Sequence, residues 1–254
     1  MIRSPSAKRS SGPVALRAGE AGDGQSWTIP GVTSFAYNRL LNPRSDTQPL
    51  SLTEEGHLMV TVRGEIMTRT DSLLLCSENL EIRPLNRRMQ GRAVPEVFQR
   101  LVSLEGRGHL VLSREDEHFF PLLLERDLCF FVETYLWALD AGLMWDVGKL
   151  PGSRTIHPIQ LVRAAGEGPV ALRVPGELVA VKIAPDRPYR VHHDGFVGWV
   201  GNVVPHMEAS SPFLHCEGEG AVLVSLPGMP ARVTASRSSS DLVDLAVLEG
   251  SPSD

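Results

Sequence analysis

A chain of 254 residues, 42% of them hydrophobic, can bury a sizeable core, which excludes a miniprotein held together by disulfides or a structural metal. The formal net charge of −5 excludes a surface that attracts nucleic acid or an anionic membrane as a whole. Three widely spaced cysteines, Cys76, Cys129 and Cys216, sit in apolar or strand-like sequence and read as reduced, buried thiols of a cytoplasmic protein.

Residues 1–27 are rich in Ser, Gly and Pro and carry Arg3, Lys8, Arg9 and Arg17. They read as a disordered tail rather than a transit peptide, because Pro5 and Pro13 interrupt any amphipathic helix. The stretch 27–49 reads as an irregular arm or a leading strand. From His57 onward, short β-branched and aromatic runs are punctuated by Gly, Pro, Asp and Asn. Val60-x-Val62, Phe130-x-Val132, Leu178-Val179-Ala180-Val181 and Tyr189-x-Val191 are predicted strands of an all-β sandwich or barrel with few helices. A helical turn is predicted over 95–102, where Pro95 suits a first turn and Phe98, Leu101 and Val102 share a face. No apolar run approaches the ~20 residues of a membrane-spanning helix, so no transmembrane segment is predicted. Residues 231–254 read as a flexible tail with a short helix over 242–248.

One pattern recurs three times. Two apolar residues precede a Gly-x-Gly, and three follow it, at Gly106-Arg107-Gly108, Gly166-Glu167-Gly168 and Gly218-Glu219-Gly220. Self-similarity of this kind predicts three related strand units, near 57–113, 120–173 and 177–228, within a β domain spanning 28–230. A dinucleotide-binding reading needs a third glycine opening a helix, and those positions hold Val111, Ala171 and Leu223 inside apolar runs. The glycines are therefore read as hairpin or bulge glycines at tight turns. A second recurrence puts an aspartate at a turn and an aromatic five residues on. Its copies are Asp140 with Trp145, Asp194 with Trp199 and, more weakly, Asp71 with Cys76. The first unit carries an insertion near 83–95. Units of this kind could close around a pseudo-threefold axis and leave no strand edge exposed.

Candidate chemistry is sparse. His192 and His193, with His206 and His215, form the main histidine group, but adjacent histidines on a strand point to opposite faces and are not expected to share a metal. The acidic run Glu115-Asp116-Glu117 reads as a solvated hairpin tip. Trp137, Trp145 and Trp199 read as core rather than as a stacking platform for bases. No catalytic, cofactor-binding or metal-ligating residue is assigned, and no cofactor is predicted.

The Leu-Val before Gly-x-Gly, the Asp-to-Trp turn, and the segments VKIAPDRPYRVHHDGFVGWVGNVVP and LHCEGEGAVLVSLPG together resemble the altered-inheritance-of-mitochondria 24 family, whose domain is TRAP-like, that is, related to the tryptophan RNA-binding attenuation protein. The resemblance covers about 55–228. It implies a TRAP-like all-β domain with internal repeats, in a family whose eukaryotic namesake is a mitochondrial assembly or scaffold factor. No basic repeat supports RNA binding of the attenuation-protein kind. The expectation is a non-enzymatic scaffold or protein-interaction module that self-assembles, for instance as a trimer, and binds no nucleic acid. Two rival readings stay open: a small-ligand or nucleic-acid binding module, and a cupin-like metalloenzyme.

Overall fold

A computed structural model describes residues 31–40, 48–85, 88–89, 92–93, 100–152, 158–207 and 211–228. The tails expected at 1–27 and 231–254, the helix expected at 242–248, and 95–99 of the expected helical turn lie outside the described residues. Leu101 and Val102, assigned to that turn from the sequence, instead open a strand. Residues 31–40 belong to a unit separate from the strands that follow. There the leading strand is replaced by α1 (Val32–Asn38), which starts at the extended Gly31 and buries none of its side chains. Without period-two alternation in 32–38, nothing selects a strand over a helix.

From Gln48 onward the described residues are strands and turns, with two short 3-10 turns and no α-helix. The first group of strands is β1 (Leu50–Leu52), β2 (Leu58–Arg69), β3 (Leu73–Cys76), β4 (Leu80–Pro84), the small pair β5 (Arg88–Met89) and β6 (Arg92–Ala93), and β7 (Leu101–Leu112). The second is β8 (His118–Val132), β9 (Leu136–Asp140), β10 (Met144–Lys149) and β11 (Gln160–Val174). The third is β12 (Glu177–Ile183), β13 (Tyr189–His192), β14 (Phe196–Met207) and β15 (Phe213–Leu226).

Each Gly-x-Gly lies in the middle of a long hub strand with antiparallel neighbours on both sides. Hub β7 pairs with β2 on one side and with β3 then β4 on the other. Hub β11 pairs with β8 on one side and with β9 and β10 on the other. Hub β15 takes β12 and β13 on one side and β14 on the other. The first flanking strand, continuous in β2 and β8, is broken in the third group between Ile183 and Tyr189, where Pro185 and Pro188 remove ladder donors.

The register of the second flanking strand repeats as well. Leu73, Leu136 and Phe196 lie opposite Leu112, Leu172 and Val224; a bulge follows, and Cys76, Leu139 and Trp199 lie opposite Leu110, Val170 and Val222. This register corrects two sequence readings. First, the glycines are mid-strand rather than at hairpin turns, although Gly166 does adjoin a bulge. They leave room for the bend in the second flanking strand: a Cβ on Gly106 would sit 2.7 Å from the Asn79 carbonyl oxygen, one on Gly168 3.0 Å from Asp140 Cβ, and one on Gly218 2.2 Å from the Asn202 carbonyl oxygen. Second, the spacing that aligned Asp140 and Trp145 with Asp194 and Trp199 is coincidental. The register counterpart of Trp199 is Leu139, whereas Trp145 lies on β10 and pairs with Ala164 of β11.

The main sheet runs β12-β15-β14-β8-β11-β9-β2-β7-β3, so among the described residues its path has two ends and does not close on itself. Three core clusters fill it, each reaching into a neighbouring group. The middle one, around Phe131, Leu136 and Leu172, takes in Met67 and Leu101 from the first group and Val197 from the third.

Candidate functional site

The connection between the two flanking strands is a short turn in every unit, at 69–72, 132–135 and 192–195. The second and third contain 3-10 turns, Glu133–Tyr135 and His193–Gly195. Polar side chains link the three turns in sequence. Arg69, at the end of β2, donates through Nη2 to the Glu133 carbonyl oxygen at 2.6 Å and to Glu133 Oε1 at 2.7 Å. The Tyr135 hydroxyl donates to the Asp194 carbonyl oxygen at 3.0 Å. Burial first, then the nearby Asp194 and Glu117 carboxylates, raises the Tyr135 phenol above its usual value and keeps it a donor.

A hollow of about 540 Å³ opens between the second and third turns, lined by Glu133, Tyr135, Gln160, His193 and Asp194 among others. His192 and His193 are not on opposite faces, as strand alternation predicts, because the strand ends at His192 and His193 begins the 3-10 turn. Their rings stack with centroids 4.9 Å apart. His193 Nδ1 lies 2.8 Å from Asp194 Oδ1, and the Asp194 amide donates to His192 Nδ1 at 3.3 Å. One ligand atom from each of the three residues falls within 4.8 Å of the others, a spacing that suits a cation. His206 and His215 form a second pair, directly opposite one another on β14 and β15.

Other side chains singled out from the sequence take structural places. Trp137 and Trp199 are buried, and Trp145 packs partly buried against the middle cluster. Trp199 stacks on Phe130 with centroids 4.4 Å apart. The 115–117 tip is more than a solvated turn, since Glu115 and Glu117 both clamp the buried Arg173, whose guanidinium lies 4.0 Å from the Trp137 ring centroid. Sequence reasoning missed Arg69, Glu133 and Arg173, because a lone charge at a strand end gives no periodic signal. Cys129 and Cys216 are free and buried, with thiols raised to about 11 by burial, Asp127 adding to it at Cys129. Such thiols are poor nucleophiles near neutral pH.

The sheet ends provide the second candidate surface. Leu74 and Leu75 on β3 are 56% and 46% exposed, whereas their register counterparts Trp137 and Ala138 are 5% and 0% exposed. At the opposite end, β13 exposes Tyr189, Arg190 and His192.

No family model and no curated protein matches the chain. Among solved structures, it is similar to the crystal structure of protein SPYM3_0169 from Streptococcus pyogenes, with a TM-score of 0.56 at 11% identity, over 77% of this chain and 95% of that one. At that identity the likeness concerns the fold alone.

Proposed function

We propose that this chain is a non-enzymatic β scaffold that binds protein, a further copy of itself included, through the open ends of its sheet. The exposed apolar strand β3 carries the reading. Its counterparts in the other two units bury the same positions, so Leu74 and Leu75 are surface left for a partner rather than ordinary scattered apolar residues. The buried charged groups support it too, since Arg69, Glu133 and Arg173 are engaged in ion pairs within the fold. Kinship with the altered-inheritance-of-mitochondria 24 family and a TRAP-like domain belong to the same reading, supported by the threefold recurrence of hub and register. A cytoplasmic location belongs to it as well, supported by three free thiols; no helix among the described residues is long and apolar enough to cross a membrane. The test is the mass of the full chain by light scattering after gel filtration, over a wide range of concentration. Species heavier than 27.7 kDa that grow with concentration are expected, and one mass of 27.7 kDa throughout rejects self-assembly.

The hollow favours a second reading, a small ligand or cation held by His192, His193 and Asp194 beside Tyr135. Native mass spectrometry of the purified chain decides it: a retained small molecule or ion supports a binding module, and a bare chain whose melting temperature zinc and manganese leave unchanged rejects it.

A further inference from the structure

Three equivalent units offer three equivalent junctions, and the chain forms two of them. Between the first and second units, β9 lies on β2 with Ala138 opposite Thr68 and Leu139 opposite Met67. Between the second and third, β14 lies on β8 with Gly198 opposite Phe131 and Trp199 opposite Phe130. The hubs show that these are the same junction. Thr68, Phe131 and Val191 lie opposite Val102, Val162 and Leu214, which stand at one offset from the first glycine of their strands. Ala138, Gly198 and Leu75 are matched in the same way, opposite Ala171, Leu223 and Val111.

The third junction would join β3 to β13, and among the described residues neither strand has a partner there; each pairs only with its own hub. Positions buried in the two formed junctions are open in this one. Leu74 and Leu75 are exposed where Trp137 and Ala138 are buried, and Tyr189 is 40% exposed where its counterparts Ile66 and Cys129 are 3% and 4% exposed.

We propose that a second copy of this chain completes the junction, its β13 adding antiparallel to β3 of the first, with Leu75 opposite Val191 and Cys76 opposite Arg190. This rests on the scaffold reading and names its surface. A second copy is the occupant because the two free edges are unlike halves of one junction, each lacking what the other presents. Charge agrees, since the exposed Glu78, in the turn just past the end of β3, falls towards the exposed Arg190 in this register. The contact is heterologous, so it repeats until a ring closes or a filament forms.

The experiment uses the full chain with Arg190→Cys, a substitution at an exposed position. Facing strands at this register bring their Cα atoms to about 4.5–5.5 Å, within disulfide range. Mild oxidation is expected to link native Cys76 to the introduced thiol of another copy, giving dimers and higher multiples on a denaturing gel that vanish on reduction or when Cys76→Ser is added. Leu75→Lys is expected to abolish the heavier species seen by light scattering. A disulfide formed within one chain overturns the proposal, as does the absence of any Cys76-dependent link. If Leu75→Lys and Arg190→Cys leave the heavier species intact and unlinked, this surface is wrong while self-assembly stands; a wild-type chain of one mass throughout removes both.

Discussion

Arg69 and Glu133, both with side chains 4% exposed, show what a buried charge costs when it loses its partner. Burial lowers the Arg69 guanidinium and raises the Glu133 carboxyl, while each charge opposes the other's shift. Removing one partner strands the other. Glu133→Ala is expected to lower unfolding free energy in urea by about 3–5 kcal/mol, and the double variant Arg69→Met/Glu133→Leu by less than that single change. An additive loss in the double variant would contradict the pairing. Thiols respond to pH in a set direction. Cys129 and Cys216 have folded values of about 11 against 9.0 for an unperturbed thiol, so between these values the unfolded chain releases protons that the folded chain keeps. Their contribution is complete below pH ~9 and is lost as pH rises towards 11, by up to about 3 kcal/mol per thiol. Urea midpoints measured across that range should fall, and Cys216→Ala should flatten the fall; a midpoint independent of pH there would show that the thiols do not titrate with unfolding.

Hub strands need glycine where the second flanking strand bends onto them. Gly218 has φ +107, and a Cβ there would meet the Asn202 carbonyl oxygen at 2.2 Å, a backbone atom that cannot swing aside. Gly218→Ala is therefore expected to cost more than about 1 kcal/mol, whereas Gly148→Ala on β10, with nothing within 4 Å and no positive φ, should be neutral or slightly stabilising. Chemical denaturation of the two variants side by side checks the contrast. The same strands mark how far the sequence could be read. The apolar residues around Gly-x-Gly sit at fixed offsets because each packs and pairs at a fixed register, so the hubs were legible. The function of their glycines was not, because the close approach comes from Asn79, Asp140 or Asn202, in the turn or strand alongside, and composition records only that a small residue stands there. Asp140 with Trp145 misled for a related reason: a spacing of five residues spans the turn between two strands in one unit and runs from a 3-10 turn into a single strand in another. The site was less legible still. His192 and His193 share a side only because the strand stops between them, and the hollow depends on Tyr135 meeting Asp194 across units.

Across the whole sheet, two of three junctions are sealed and one is open, and local stability should follow that pattern. Amides of Leu136–Asp140 and 196–200 lie in strands covered on both sides by neighbours. Those of Leu73–Cys76 and Tyr189–His192 have a hub on one side alone, so their outward N–H groups meet solvent without prior unfolding. Hydrogen exchange followed by mass spectrometry should find β3 and β13 exchanging well before their counterparts in β9 and β14. The sealed strands should exchange together and late, because the middle core cluster draws Met67, Phe131 and Val197 from three units into one body. Raising protein concentration then separates two causes of protection. If copies join head to tail, β3 and β13 slow in step as concentration rises while β9 and β14 stay as they were. Protection of β3 equal to that of β9 in dilute solution would mean that the third junction closes within one chain.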